Sequence, residues 1–353
     1  MNNKKQPTIY DIAAHLGVST GTVNRALNNK GRISEDTRKR VLAAAEELGY
    51  KANRAAQSLR RNPIYMGVIL CCPVSQYLED IRLGMLSAFD ELNQLNVFSD
   101  IRILGEVNCE DCEDEVLSAL DDFSQKNYQA CILFLSGDNS RFSKKLDDLA
   151  SCGMRIAAVA NGIEGCSCSV SVSADGFSAG QLAAEILCLP CEGGRIAVLT
   201  GSRRTAIHRA NIDGFFDYAQ KNSCFKAIDV YEHDDNERTA KLLIDEMLAG
   251  ENPPDGIYIT SAISQYTCKY IDSLALEHRP RIVMTDLFNE NRRLLSSHAA
   301  CATIYQNPYK QGRQVVLHMY EHIIENRTEP EKLALIPQAV FASNMNLYEP
   351  MSK

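Results

Sequence analysis

Polar and charged side chains follow several apolar runs in the second part of the chain, at the points where those runs end. A guanidinium and one or two carboxylates, held rigidly, can donate to and accept from the hydroxyl groups of a small polar ligand. Taken alone, each such residue reads first as a surface or capping residue; Asp175, for example, could cap a helix that begins near residue 176. Their recurrence favours a binding site. The residues are Ser136-Gly137-Asp138-Asn139, Asn161, Asp175, Arg209, Asp286 and Gln306.

The elements that must position these residues alternate between apolar and amphipathic segments from residue 64 onward. This alternation predicts parallel sheets with helices on both faces. The predicted strands are 65–70, 101–107, 130–135, 156–159, 169–172, 196–199, 227–230, 256–259, 282–284 and 302–304. The predicted helices are 77–93, 113–126, 140–151, 176–188, 207–220, 237–249, 264–276 and 308–325. Ten strands are too many for one open sheet of this length, so we expect two lobes with a ligand cleft at the carboxyl ends of the strands.

Catalytic patterns are weak in this chain. It has no Gly-x-x-x-x-Gly-Lys-Ser/Thr phosphate loop, and its seven histidines are scattered. Only His208 lies near the predicted cleft, where we interpret it as lining or rim. We therefore expect a binding protein and not an enzyme.

Residues 8–48 have the periodicity of three short helices. Thr8 and Asp11 can form a capping pair for the first helix, and Gly17 can end it in a left-handed conformation. Ser19 can cap the second helix, and Ser34 can cap the third, which we expect to end near residue 48. Together the three helices can bury a small core.

The second helix presents small and polar residues outward. Such a surface suits the major groove of DNA, from which a bulky or acidic face would be excluded. The alternative is a three-helix bundle with no nucleic-acid role. The outward residues are Thr20, Gly21, Asn24 and Arg25.

The charge is divided unevenly along the chain. Residues 1–62 contain twelve lysines and arginines and five acidic residues, which leaves 25 basic and 40 acidic residues for the remainder. A basic head on an acidic body is typical of a nucleic-acid-binding module joined to a module with another role. A chance solvated face is the alternative.

A short helix-forming stretch, residues 50–61, joins the two parts. Asn53 can cap it, and because it is too short to be stable alone it could fold and unfold as a switch. Leu59 beside Arg60 and Arg61 suits a minor-groove wedge, in which basic residues hold the backbone while an apolar side chain opens a base step. The alternative is a plain linker.

The first part of the chain resembles the DNA-binding head of the lactose-repressor (LacI/GalR) family over about fifty residues. The matching segments are Thr8-Ile9-Tyr10-Asp11-Ile12-Ala13, Gly17-Val18-Ser19, Thr22-Val23-Asn24-Arg25-Ala26-Leu27-Asn28, Thr37-Arg38, Leu48-Gly49-Tyr50 and Asn53-Arg54-Ala55. The resemblance implies that Thr20 and Gly21 read operator bases, and that Leu59 is the hinge wedge. Two residues depart from the family pattern. Asn24 stands where the family usually has serine, and Ala52 stands where it often has proline. The predicted DNA-binding residues are Thr8, Ser19, Thr20, Gly21, Thr22, Asn24, Arg25, Asn28, Asn53, Arg54, Ala56, Leu59 and Arg60.

The body is similar, more weakly but to the end of the chain, to type I periplasmic sugar-binding proteins. The resemblance implies that Tyr77 lies near the ligand, that Arg209, five residues before Gly214-Phe215, grips it, and that Asp286 is a ligand aspartate. The segment 303–308 with Gly312 looks like the C-terminal crossover. The predicted effector-binding residues are Tyr77, Ser136, Asn161, Asp175, Arg209, Ser261, Asp286 and Gln306.

Two departures fall in the predicted pocket. Ser261-Ala262 stands where many members have Asn-Asp, and Cys71-Cys72 stands where Pro-Asp is frequent. They favour a ligand other than a common hexose, or one held by fewer polar contacts. Nucleosides, purines and sugar phosphates stay open.

The thirteen cysteines are an odd number. In a reducing compartment we expect most of them to be thiols that pack as small apolar side chains. Two Cys-x-x-Cys spacings, Cys109/Cys112 and Cys188/Cys191, could in principle form a four-thiolate zinc site. They share no local framework, so we expect no metal.

These observations predict an α/β fold: a small all-α helix-turn-helix head plus a two-lobed body of doubly wound parallel sheets, as in periplasmic binding proteins. The predicted domains are residues 1–51 (DNA binding), 52–63 (hinge helix and linker) and 64–353 (ligand binding and dimerisation). There is no secretory signal and no run of about twenty apolar residues, so we expect a cytoplasmic protein without a membrane span.

The function that the resemblance implies is a transcriptional repressor, a homodimer on double-stranded operator DNA that is controlled by a carbohydrate effector and needs no cofactor. The alternative is a solute-binding protein of transport type without a gene-regulatory role, which would have no basic head. An architectural DNA protein would have no use for the ligand clamp. Inducer versus corepressor, dimer versus tetramer, the operator sequence and the regulated genes stay open.

Overall fold

The computed structural model describes residues 7–27, 33–50, 61–104, 112–261 and 263–348. The chain divides into two compact units, residues 1–62 and 63–353. Six predicted DNA-binding residues lie outside the described ranges: Asn28, Asn53, Arg54, Ala56, Leu59 and Arg60. Cys109 and Ala262 lie outside them as well.

The first unit contains three helices, α1 (Ile9–Leu16), α2 (Thr20–Leu27) and α3 (Glu35–Glu47). Helix α1 begins where the Asp11 carboxylate accepts hydrogen bonds from the backbone N and the hydroxyl of Thr8, both at 2.7 Å. It ends at Gly17, whose φ of 65° requires the left-handed conformation that glycine adopts readily. One apolar residue from each helix, Ile12, Val23 and Val41, is fully buried in the core. The predicted helix-turn-helix arrangement is therefore present.

The second unit contains two sheets of six strands, each the centre of one lobe. The strands of the first sheet are β1 (Ile64–Cys71), β2 (Val97–Ile103), β3 (Ala130–Leu135), β4 (Arg155–Val159), β5 (Val170–Ala174) and β11 (Glu331–Leu335). Those of the second are β6 (Arg195–Thr200), β7 (Ala227–Glu232), β8 (Gly256–Ile259), β9 (Arg281–Thr285), β10 (Ala302–Tyr305) and β12 (Gln338–Val340).

The two sheets have equivalent strand orders, β11-β5-β4-β3-β1-β2 and β12-β10-β9-β8-β6-β7. Neighbouring strands run parallel, except that β12 is antiparallel to β10. Every residue of β3 and β8 is buried, as expected of central parallel strands covered on both faces.

Helices cover both faces of each sheet, so each lobe has a core on either side of its strands. The helices are α4 (Ser75–Asn93), α5 (Glu113–Gln125), α6 (Ser143–Ser151), α7 (Gly176–Cys188), α8 (Ala206–Asn222), α9 (Glu237–Ala249), α10 (Ser264–Ser273), α11 (Asn289–Ser296) and α12 (Pro308–Ile324). Two 3-10 turns, Ser140–Phe142 and Met345–Leu347, complete the elements. None of the described helices is long and apolar enough to cross a membrane.

Three chain segments connect the lobes: the turn between β5 and α7, the turn between β10 and α12, and the residues between β11 and β12. After the second of these, α12 packs against α4 of the first lobe. A Cβ atom on Gly84 would lie 1.9 Å from the backbone oxygen of Tyr309, so only glycine permits this approach.

The predicted α/β class and two-lobed body are confirmed, and several element boundaries are wrong. The strand predicted at 101–107 runs from Val97, because β2 pairs with β1 from Ile64 opposite Val97 onward. Helix α11 and strands β11 and β12 were not predicted. The helix predicted at 140–151 begins with a 3-10 turn.

The cysteines also differ from expectation in one respect. Cys188 forms a disulfide with Cys224, with Cα atoms 5.4 Å apart, which the cysteine spacing did not predict. The ten other described cysteines form no disulfide. Among the described residues no group of three or more histidine, cysteine or acidic side chains is arranged to hold a metal ion.

Candidate DNA-reading helix and ligand cleft

Helix α2 has the surface that a groove-reading helix needs. The Ser19 hydroxyl accepts a hydrogen bond from the backbone N of Thr22 at 3.1 Å and so caps the first turn. Gly21, Asn24 and Arg25 are exposed, while Val23 on the opposite side of the helix is buried. The sequence prediction for this face therefore matches the geometry of the described head.

Thr8 and Thr22 have structural partners in addition to their predicted DNA contacts. Thr8 belongs to the cap of α1. The Thr22 hydroxyl lies 2.9 Å from the Ser19 hydroxyl and accepts a hydrogen bond from the Arg25 guanidinium at 3.4 Å. These contacts hold the start of α2 and the Arg25 side chain on one surface.

A cavity of about 400 Å³ lies between the two lobes of the body. Its walls are formed by segments that directly follow β1, β3 and β4 of the first sheet and β6 and β7 of the second. This is the position at which open parallel sheets bind ligands. The charged and amide residues that line it are Asp138, Asn139, Asn161, Glu164, Arg204, His208, Arg209, Asp234 and Asp235.

The wall from the first lobe is held by Asn139. Its side-chain amide donates to the backbone oxygen of Gly162 at 2.9 Å, and its oxygen accepts from the backbone N of Glu164 at 3.1 Å. These bonds tie the segment after β3 to the segment after β4. The Ser136 hydroxyl lines the same wall and is buried without a hydrogen-bond partner among the described residues.

A series of buried side-chain hydrogen bonds supports the cavity wall from the second lobe. The Nδ1 atom of His208 lies 3.2 Å from the Thr260 hydroxyl, which in turn donates to Thr200 at 2.9 Å. The Nε2 atom of His208 is 3.5 Å from the Asp235 carboxylate. Thus His208 bridges the wall of the cavity and the interior of the lobe.

Two residues near His208, Asp235 and His233, have lowered pKa values. Burial raises the pKa of Asp235, but its hydrogen bond with His208 and the histidine charges outweigh burial and lower the pKa to about 2. Burial lowers the pKa of His233 to about 4. At neutral pH the cavity wall therefore presents the Asp235 carboxylate, and the fully buried His233 is neutral.

Arg209 and Glu164 face each other across the cavity. The Arg209 guanidinium lies 3.7 Å from the Glu164 carboxylate, and both side chains are about half exposed. The same guanidinium donates to the backbone oxygen of Arg203 at 2.9 Å. An exposed ion pair of this kind is worth at most about 1 kcal/mol, so a ligand can displace it.

The structure brings together three of the eight predicted effector-binding residues, Ser136, Asn161 and Arg209, on the walls of the cavity. Asp175 instead caps α7, where its carboxylate accepts from the backbone N and the hydroxyl of Ser178 at 3.1 and 2.7 Å. Ser261 is buried. Neither residue lines the cavity.

The other three predicted residues form a second cluster. The Asp286 carboxylate accepts from the backbone N and the side-chain amide of Gln306 at 3.3 and 3.1 Å. Gln311 donates to the backbone oxygen of Gln306 at 2.9 Å and to the Tyr77 hydroxyl at 3.4 Å. Asp286 is fully buried, and burial raises its pKa to about 8. These residues are linked to one another and do not line the cavity.

Sequence reasoning missed several lining residues. Asp234 and Asp235 directly follow β7, and Arg204 follows β6, so the rule that selected Ser136 and Asn161 applies to them equally. Asp234 and Asp235 were missed because the strand predicted at 227–230 ends two residues too early, whereas Arg204 was missed because it lies four residues beyond the end of β6. Glu164 lies further from its strand, in a loop with no sequence signal of its own.

The first residues of α7 have the spacing of a hydrolase motif. Gly176-Phe177-Ser178-Ala179-Gly180 matches Gly-x-Ser-x-Gly. The Ser178 hydroxyl donates to Asp175 at 2.7 Å in the first turn of α7. Ser178 therefore belongs to the cap of α7 in the described structure.

Two family models match the chain. The model described as bacterial regulatory proteins, lacI family, matches residues 8–53. The model described as periplasmic binding protein domain matches residues 68–327.

Similar proteins cover different parts of the chain. The ribose operon repressor of Bacillus subtilis (strain 168) is 26% identical over 258 residues, 72% of this chain and 73% of that protein. The maltose regulon regulatory protein MalI of Vibrio furnissii is 42% identical over 85 residues, 24% of this chain; this match spans less than two thirds, 62%, of that protein.

A solved structure, the Lac repressor bound to ONPG in the repressed state, has the same fold as this chain. The match has a TM-score of 0.62 at 20% identity and covers 95% of this chain and 98% of that one. The two family models together account for the helical head and for the two-lobed body. The body of the chain thus belongs to the periplasmic binding protein domain family, and the head that precedes it matches the lacI family of bacterial regulatory proteins.

Proposed function

We propose that the chain is a sequence-specific transcriptional repressor that binds operator DNA through α2 and responds to a small hydroxyl-rich molecule held between its lobes. The observation that carries the proposal is the polar cavity at the carboxyl ends of both sheets, in a chain that also has a DNA-reading head. The named relatives are operon and regulon regulators, and the proposal assigns no reaction to the cavity. A repressor of this kind works in the cytoplasm, where its operator is.

The charges of the cavity favour a neutral carbohydrate over a phosphate ester. Four carboxylates line it, Asp138, Glu164, Asp234 and Asp235, against two guanidinium groups, so a phosphate would meet an excess of negative charge. Among the described lining residues there is no phenylalanine, tyrosine or tryptophan, which disfavours a stacked nucleobase. Carboxylates, amides and guanidinium groups in one cavity are instead suited to accepting from and donating to sugar hydroxyls.

Control of DNA binding follows from a population shift. Two heads of a homodimer would reach successive major grooves of a two-fold operator. A ligand that binds one lobe arrangement better than the other shifts the body toward that arrangement. In this proposal the hinge, residues 52–63, folds with Leu59 in the minor groove only in one of the two arrangements, so the ligand changes the operator affinity.

The ligand site can be tested by thermal unfolding of the full chain with D-ribose, maltose, ribose 5-phosphate and adenosine as probes. A ligand that binds only the folded protein raises the melting temperature by mass action. We expect a rise with a neutral sugar, and we expect Arg209→Ala to lower the affinity for it by about tenfold or more, the scale of a charge-assisted hydrogen bond.

Arg203→Ala is the matched control. Arg203 pairs with Glu232 and does not line the cavity, so the variant should keep the ligand response. A rise with ribose 5-phosphate or adenosine alone would overturn the proposed ligand class. Equal binding by Arg209→Ala and the original chain would place the ligand outside this cavity.

A further inference from the structure

The disulfide between Cys188 and Cys224 joins the last turns of two adjacent helices. Cys188 is the final residue of α7, and Cys224 follows the end of α8, where Ser223 adopts a left-handed φ of 51°. Cys188 is partly exposed beside Leu189, which is 89% exposed, whereas Cys224 is 2% exposed. Cys188 is therefore the member of the pair that lies nearer to solvent.

The two helices that this bond joins are packed without space between their backbones. A Cβ atom on Gly180 would lie 2.0 Å from the backbone oxygen of Asn211, and one on Gly214 would lie 1.9 Å from that of Phe177. Because such close packing transmits strain, we expect the two helices to move together as one rigid unit. A bond at one end of the pair thus constrains the other end.

The N-terminal ends of both helices lie at the interlobe connection and at the cavity wall. Helix α7 begins directly after the first segment that connects the lobes, and α8 begins at the wall of the cavity, with His208 and Arg209 in its first turn. The bond therefore lies at the base of a unit whose opposite end contains an interlobe connection and two cavity-lining residues.

Cys191 shares a Cys-x-x-Cys spacing with Cys188 but is not part of the disulfide. Cys191 is 4% exposed, and its sulfur donates to the backbone oxygen of Asp255 at 3.4 Å. Burial raises the pKa of this thiol to about 11, so little of the reactive thiolate is present at neutral pH.

We propose that Cys188 and Cys224 are a reversible thiol–disulfide modification site that sets the rigidity of the α7–α8 pair. The oxidant is a small disulfide of the glutathione type, R–S–S–R. The Cys188 thiolate attacks one sulfur of it, which forms a mixed disulfide and releases one R–S⁻. The Cys224 thiolate then attacks the Cys188 sulfur and releases the second R–S⁻. Two protein thiols lose two protons and two electrons, and the small disulfide gains both as two R–SH.

The first test maps the bond in the full-length protein. The protein is reduced, exposed to glutathione disulfide, blocked with an alkylating reagent and digested for mass spectrometry. We expect a linked 188–224 peptide that dithiothreitol removes, and its loss in Cys188→Ser but not in Cys191→Ser. The Cys71 and Cys112 sulfurs lie 2.9 Å apart but both are buried, so this pair should react more slowly. A Cys188–Cys191 bond, or no bond at 188, would overturn the proposal.

The second test measures the rigidity. Hydrogen exchange of peptides from residues 206–222 should slow by roughly fivefold or more on oxidation, because local opening is restricted. The melting temperature should rise by roughly 5 °C, since the bond closes a chain segment of 36 residues. Cys188→Ser should show neither change. Equal exchange in both states would reject the proposed effect on the helix pair even if the bond forms.

The link from this bond to the cavity rests on the proposed function, and the two can fail separately. Operator binding and the ligand-induced rise in melting temperature are measured on the same reduced and oxidised samples. If the bond forms while neither ligand nor DNA binds, the regulatory proposal fails and the modification site stands. If ligand and DNA both bind but no Cys188–Cys224 bond forms, the modification site fails and the regulatory proposal stands.

Discussion

At the scale of single residues, the acidic side chains divide into two groups with opposite pKa shifts. Asp235 and Asp138 have lowered pKa values: His208 outweighs burial at the first, and hydrogen bonds from Ser140 stabilise the second. Asp286 has a raised pKa because it is fully buried, and the hydrogen bonds from Gln306 do not offset this burial. The first two residues line the cavity as anions, whereas Asp286 does not line it and keeps its proton at neutral pH.

Asp286→Asn tests this assignment through the pH dependence of stability. Asp286 binds its proton more tightly in the folded chain, so its contribution to stability is full below about pH 4 and is lost as pH rises through about 8. Asparagine removes the titration and tolerates the φ of 66° at this position. We expect the variant to gain on the order of 3 kcal/mol relative to the original chain between pH 5 and pH 8, measured by urea unfolding.

The control for this measurement is Asp217→Asn. The hydrogen bond from Lys221 lowers the pKa of Asp217, so its carboxyl stays ionised throughout this pH range in the folded and the unfolded chain. Its variant should show the same pH slope as the original chain. A slope unchanged in Asp286→Asn would mean that Asp286 is ionised in the folded protein at pH 5.

At the scale of elements, glycine positions decide how closely helices approach. Gly180 of α7 and Gly214 of α8 each face backbone of the opposite helix, as Gly84 and Gly312 do between α4 and α12. Any side chain at these positions would separate the helices by overpacking. Both pairs adjoin segments that connect the lobes, so the same contacts position the walls of the cavity.

Gly180→Ala should destabilise the body by about 3 kcal/mol, at the upper end of measured overpacking costs, because its Cβ atom would meet the Asn211 backbone at 2.0 Å. Thermal or urea unfolding measures the change. Gly250→Ala is the matched control, since its nearest neighbouring atom would be 3.6 Å away, an ordinary contact. Equal stability of the two variants would show that α7 and α8 are not packed as described.

The elements also show why sequence reasoning succeeded in some places and failed in others. Strands β3 and β8 were predicted because continuous apolar runs between polar residues are typical of buried parallel strands. Strand β2 was misplaced because it is an edge strand with exposed Phe98 and Ser99, so its burial pattern is weak. Strand β12, three residues long, is too short for any period to appear.

The site was predictable only where it depends on strand ends. Ser136 and Asn161 follow strands with clear boundaries and line the cavity. The contacts of Asp286 with Gln306, and of Gln306 with Gln311, depend on the packing of β9, β10 and α12, which no local pattern encodes. The Cys188–Cys224 pairing likewise depends on the α7–α8 contact and could not be read from the spacing of the cysteines.

At the scale of the whole molecule, we propose that a ligand in the cavity of the body controls DNA binding by the head. In this proposal the basic charge of residues 1–62 gives affinity for any DNA, and the exposed face of α2 reads the bases. The body supplies no DNA contact in this account. Its ligand acts only by having different affinities for two arrangements of the lobes.

The most direct test is the operator affinity of the full chain with and without saturating ligand. The operator is first obtained by selection from random DNA duplexes, and the ligand is the sugar that raises the melting temperature. We predict that the ligand changes the operator Kd by about tenfold or more, with little change in the Kd for non-specific DNA, and that Arg209→Ala removes this change while Arg203→Ala keeps it. A ligand that stabilises the protein but leaves the operator Kd of the original chain unchanged would contradict the account.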